Sequence, residues 1–143
     1  MRQLFRIVVM GLMGAFIGCG GDSDSPTGPT KGPDGQTLEV YNGEDGDGNR
    51  IEYQFYRDGN DLVKHGFYKV YHSDGRVLWE RNYVDGKLEG KSVRYYESGK
   101  VEYERNYVDG KFEGKWVEYD REGNILDEEC YKNDVQVDLS LCE

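Results

Sequence analysis

Three kinds of side chain here could make bonds or hold ions: cysteines at 19, 130 and 142, histidines at 65 and 72, and carboxylates at regular spacings. Asp45, Asp47 and Asn49 alternate like the oxygen ligands of a calcium loop, but that loop needs glycine sixth and glutamate twelfth, and Arg50 and Tyr56 stand there. Asp47-Gly48 reads instead as a turn. His65 and His72 have no third ligand in view, so both are expected on the surface rather than at a metal. Glu80, Glu104 and Glu128 recur every 24 residues, which suits a solvated face better than an acid–base pair. No serine stands in a G-x-S-x-G context and no phosphate-cradling loop is present. Without a convergent acid, base or nucleophile, the chain is expected to be no enzyme and to need no cofactor or metal.

Charge narrows the partners. The chain has 28 acidic and 18 basic residues, net −10. Without residues 1–18, which hold Arg2 and Arg6 and no acid, the balance is −10 − 2 = −12. Such a charge repels nucleic acid, so no nucleic-acid partner is expected. Twenty glycines and twelve tyrosines, with short apolar runs between Gly-bearing turns, favour β structure.

The first 21 residues, MRQLFRIVVMGLMGAFIGCGG, start basic and continue apolar from Ile7 to Ile17. That run is too short to cross a bilayer and fits a signal-peptide core. Its end, FIGC, resembles a bacterial lipobox, with Gly18 before the cut and Cys19 as the lipidated residue; Phe16 departs from the usual Leu. An ordinary signal peptide with an incidental Cys19 is the alternative. The resemblance implies an exported lipoprotein held at the cell envelope by its acyl chains, and Gly20 after Cys19 resembles the pattern sent to the outer membrane in diderm cells. Residues 19–36, rich in Gly, Pro, Ser and Asp after the cysteine, read as a flexible tether, leaving 37–143 as the folded domain.

That domain repeats itself. ERNYVDGKLEG (80–90) returns as ERNYVDGKFEG (104–114), and Gly66, Gly90 and Gly114 stand 24 apart. Gly75, Gly99 and Gly123 follow nine positions later. Each unit has two strand-like runs, joined by ESG-like turns and GKLEG-like loops, so successive strands should be antiparallel neighbours. With Leu88 as one loop centre, Tyr83 opposes Val93 and Arg81 opposes Tyr95; about Asp74, Tyr71 opposes Val77. Period-two reading then gathers Trp79, Tyr83, Tyr95, Tyr103, Tyr107 and Tyr119 on one aromatic face, the candidate binding face, and leaves the glutamates opposite. Stacked tiles bury a row that one tile cannot. In the same register Cys130 and Cys142 lie symmetrically about position 136, opposite each other on adjacent strands. A disulfide is expected in an exported protein, two free thiols being the alternative.

GKSVRYYESGKVEYERNYVDGKFEG resembles the bacterial MORN-type repeat of the antitoxin-component (YwqK-like) class, over about residues 48–134. The resemblance implies an all-β fold, an extended single-layer antiparallel β-meander built from hairpin repeats of 24 residues. Function is then expected to be non-catalytic: an envelope lipoprotein engaging a protein or glycan partner through the aromatic face or the strand edges. The alternative is an antitoxin or immunity-type protein whose acidic surface neutralises a toxin.

Overall fold

The structure, a computed structural model, describes residues 31–142. The leader and Cys19 lie outside the described residues. The chain forms one open antiparallel sheet of eleven strands: β1 (Glu39–Glu44), β2 (Arg50–Asp58), β3 (Asp61–Tyr71), β4 (Val77–Val84), β5 (Lys87–Leu88), β6 (Gly90–Tyr95), β7 (Val101–Val108), β8 (Lys111–Phe112), β9 (Gly114–Tyr119), β10 (Ile125–Lys132) and β11 (Val135–Val137). The long strands follow chain order across the sheet, and the two-residue strands β5 and β8 pair back onto β4 and β7. This is the expected all-β meander.

Two kinds of turn alternate. At one end of the strands the connections are two residues long; Gly59-Asn60 has positive φ only at the glycine, but Asp85-Gly86 (48°, 81°) and Asp109-Gly110 (52°, 83°) have it at both residues. Paired positive φ defines the hairpin turn whose twist matches that of the flanking strands. Asn133-Asp134 (50°, 67°) repeats it without glycine; there the Asp134 carboxylate accepts the Phe112 N–H at 2.8 Å, an anchor beyond the repeat. Each turn is also tied to the previous tile. The N–H groups of Gly86, Gly110 and Asp134 donate to the carbonyls of Lys64, Leu88 and Phe112. Glu89 and Glu113 accept the N–H groups of Asp109 and Asn133.

The strand register differs from the sequence expectation, and every second strand changes face. Glu80 pairs with Val93 and Trp79 with Arg94, where Tyr83–Val93 and Arg81–Tyr95 were expected. There are two causes. The turn is centred between Asp85 and Gly86, with Tyr83 opposite Leu88, rather than on Leu88. At the other end Tyr71 does oppose Val77, but the next pair is Val70–Trp79, so Leu78 is an extra residue. Glu102 and Leu126 repeat that bulge. A one-residue slip exchanges the two faces of a strand. Tyr95 and Tyr119 therefore leave the aromatic face and join the glutamates, while Arg94 and Glu118 move onto it. Trp79, Tyr83, Tyr103 and Tyr107 stay together.

The face that carries the glutamates is internally paired. Glu80, only 7% exposed, takes Lys69 Nζ at 2.8 Å and the Tyr95 hydroxyl at 3.0 Å. The next two glutamates are paired from a lysine two positions earlier in the tile, as Lys91–Glu104 and Lys115–Glu128, and Glu52 accepts the Tyr71 hydroxyl. Val93 and Val117 are buried between them.

Cys130, 1% exposed, and Cys142 are joined with Cα atoms 5.9 Å apart. The route is not the cross-strand one expected. Cys130 pairs with Val137, and Cys142 lies in a 3-10 turn (Leu139–Cys142) folded back over β10. The turn starts at Asp138, whose carboxylate accepts the Ser140 N–H. On the chain-entropy account a loop of this size contributes roughly 3 kcal/mol. With Cys19 replaced by Ser, the denatured, unreduced protein is expected to titrate no free thiol; two free thiols would refute the bridge.

Candidate recognition face

The face opposite the ion-pair ladder carries two rows of side chains running across the strands. The first is Val70, Trp79, Arg94, Tyr103, Glu118 and Asp127, each opposite the next on the neighbouring strand. The second, one step along each strand, holds Tyr68, Arg81, Ser92, Arg105, Trp116 and Glu129. Strand alternation puts all of them on one side.

Cations and rings interleave here. Lys64 Nζ lies within 4.7–5.4 Å of the ring centres of Tyr53, Tyr68 and Tyr83. Tyr41, Tyr53 and Tyr68 stack in sequence, at 4.9 and 5.6 Å. The Arg81 guanidinium sits 3.9 Å from the Trp79 ring, and Arg105 sits 4.1 Å from Tyr103 and 3.7 Å from Trp116. Contacts of this kind contribute about 0.5–2 kcal/mol each, more as water is excluded. Burial, and then the neighbouring Arg81, hold the Lys64 ammonium below its usual pKa. Burial raises the Tyr103 phenol against the opposing pull of Arg105 and Arg94.

Tyr103 is 9% exposed, covered by Trp79 at 5.2 Å and by the arginines. Tyr103, one of the six residues of the expected binding face, thus lies under a cationic cover. Tyr83 and Tyr107 are half-buried at the turn end, Tyr107 against Phe112 at 4.9 Å.

The face changes sign along the sheet. Arg81 and Arg105 are followed at the same repeat position by Glu129, Arg94 by Glu118, and Trp79 and Tyr103 by Asp127. Glu118, Asp127 and Glu129 line a shallow depression with Trp116. Among the described residues Lys64, Arg81 and Arg105 have no acid within ion-pair distance, and these three acids have no cation. Arg94 lies 3.1 Å from Glu102, but off the line of its N–H, so the ion pair lacks an aligned hydrogen bond.

The other candidates resolve simply. The Asp45 carboxylate is occupied by the N–H groups of Asp47 and Asn49 and by the Asn49 amide, a turn closed on itself. Among the described residues no group of three or more His, Cys, Asp or Glu side chains is placed to hold a metal. His65 is not the surface residue expected. It is 6% exposed, with Nδ1 3.0 Å from the Asp85 carboxylate, at the position where later tiles carry Glu89 and Glu113. Arg81 and Arg105 share the face with Trp79 and Tyr103 in the sequence reading too; what that reading missed is Arg94 and Glu118, which the register error had moved to the opposite face.

Residues 88–109 and 112–133 each match the family described as MORN repeat variant. The matches support a MORN-type repeat protein, a kind of repeat that serves in general as a binding or scaffold module and is generally non-catalytic. No curated protein and no solved structure matches the chain.

Proposed function

We propose that the protein is a non-catalytic recognition scaffold, tethered at a bacterial cell envelope through a lipid on Cys19, whose cation–aromatic face engages a protein or glycan. The observation that carries this reading is the contrast between the two faces. One satisfies its charges internally; the other presents stacked rings and unpaired charge, with no second layer over it among the described residues. Flat rings beside fixed cations suit a partner offering apolar surface and anionic groups. The partner surface proper is the ladder of Tyr41, Tyr53, Tyr68 and Lys64. The net charge of −10 supports a second reading, an immunity-type protein that binds a basic toxin.

The experiment is capture from envelope extracts by the lipidated chain. Tyr53→Ala with Tyr68→Ala is expected to keep the strand circular-dichroism signal and to lose the captured partner at least tenfold, since aromatic anchors carry about 2 kcal/mol or more each. Unchanged capture by the folded double variant overturns the ladder. A basic protein captured through the acidic residues would establish the second reading. In the same cells Cys19→Ser is expected to give precursor without lipid label; normal labelling refutes the anchor.

A further inference from the structure

We propose that the sign-changing half of this face, β4 to β10, packs against the same half of a second copy, about a two-fold axis parallel to β7. The inference rests on the scaffold reading only in taking this face as the recognition face.

The argument is one of symmetry. Residues 24 apart occupy the same level along their strands, because Glu80, Val93 and Glu104 lie in register and Val117 and Glu128 continue the line. β7 is flanked on the sheet by β6 and β9, then by β4 and β10. A half-turn about a line parallel to β7 keeps each level and exchanges those strands. It sets Arg81 over Glu129 of the second copy, Arg94 over Glu118 and Trp79 over Asp127. Arg81 and Arg94 of one copy each meet the acid at their own repeat position in the other, and every such contact occurs twice, as a closed two-fold interface requires. Ser92, already covered within its own copy at 2% exposure, falls opposite Trp116 of the other.

Twist does not spoil the fit. A uniformly twisted sheet turned about one of its own strand directions presents a surface parallel to the original, so the spacing of about 10 Å between packed sheets holds across the interface. The like-charge contact is Arg105 near its own copy on the axis. Its guanidinium lies over Trp116 at 3.7 Å, drawn towards β9. Five strands of about 20 Å at about 4.8 Å spacing give about 400 Å² of projected area per copy. With side-chain relief this reaches the lower end of specific interfaces, about 1,200 Å² in total. β3 comes opposite β11 of the other copy, and β1 and β2 project beyond the overlap in both copies, which leaves the Tyr41–Tyr53 ends of two ladders at opposite ends for partners.

The test uses two complementary variants of the full chain, in density-matched non-ionic detergent, followed by sedimentation velocity over a concentration series. Arg81→Glu with Arg94→Glu makes the face acidic; Glu118→Arg with Glu129→Arg makes it basic. Wild type is expected to dimerise. Each variant alone is expected to be monomeric at concentrations where wild type is dimeric, and an equimolar mixture to regain a dimer holding one copy of each. The milder Glu118→Gln with Glu129→Gln, whose fold is checked by circular dichroism, is expected to raise the dimer Kd at least tenfold. A wild type monomeric at every concentration overturns the proposal, as does a mixture of folded variants that stays monomeric, or a Gln variant with unchanged Kd. A monomeric wild type that still captures its partner leaves the scaffold reading standing, and a dimer that captures nothing leaves this one standing.

Discussion

Raising the pH from about 9 to about 12 is expected to unfold the sheet, with the strand signal and the tyrosinate ultraviolet band changing together. Eight of the twelve tyrosines have phenols held above the ordinary value of 10: Tyr53, Tyr56, Tyr68, Tyr71, Tyr95, Tyr103, Tyr119 and Tyr131. Burial is the first cause in all but Tyr131, where it is the hydrogen bond to Glu129. Tyr95 is pushed up furthest, by burial and then by the Glu80 charge. Below pH 10 these phenols are protonated in both the folded and the unfolded chain, and what they contribute is fully present. As pH rises through 10 the unfolded chain loses protons first, so stability falls until the folded phenols also ionise. Lys64, held below its usual value, acts in the opposite sense around pH 10.5 but is a single group. Rapid return to neutral pH should restore the fold. Tyrosines titrating near 10 with the strand signal intact would show that the phenols do not report on packing.

Gly66→Ala is expected to cost roughly 3–4 kcal/mol, read as a shift of the urea midpoint at constant slope. Gly66 has φ of +108°, beyond the left-handed region that other residues tolerate, and an added Cβ would meet the side chain of Gln54, including its Cβ at 3.0 Å. Gln54 stands opposite a bulge in β3, where His65, Gly66 and Phe67 face this one residue, and its Oε1 accepts the Phe67 N–H at 3.3 Å. Moving it aside forfeits that hydrogen bond. Gly99→Ala is the control: φ is +84° with no atom within 4 Å of the new Cβ, so only conformational strain remains, about 1 kcal/mol. Equal costs at the two sites would mean that crowding by Gln54 has no energetic weight.

These positions show how far the sequence could be read. The period of 24, the alternation of strand and turn, and the antiparallel order follow from repeated glycines and short loops, because such signals are local. Register is not local. Leu78, Glu102 and Leu126 are bulged in the same way in three tiles, and no residue type at those positions announces it. The two-residue turn at Asp85-Gly86 was hidden by Gly90, which suggested a longer loop but has positive φ at the irregular start of β6. Two errors of parity thus moved Tyr95 and Tyr119 onto the wrong face without disturbing the fold class. Gly66, Gly90 and Gly114 look alike by spacing, yet only Gly66 is crowded. His65 looked like a surface residue because its burial depends on Tyr56 and Asp85, which stand 9 and 20 residues away.

The ties between turns have a consequence for length. Gly86, Gly110 and Asp134 each reach back only to the tile before, at Lys64, Leu88 and Phe112. No tile needs to know how many others there are. Adding or removing 24 residues between β4 and β9 would move the disulfide-closed end by two strand spacings, about 9.6 Å, and leave every local contact of the same kind. The protein is in this sense a gauge graduated in whole tiles. The distance from β1 to the place where the face turns acidic is counted in repeats, and could be reset by duplication without inventing a single new contact.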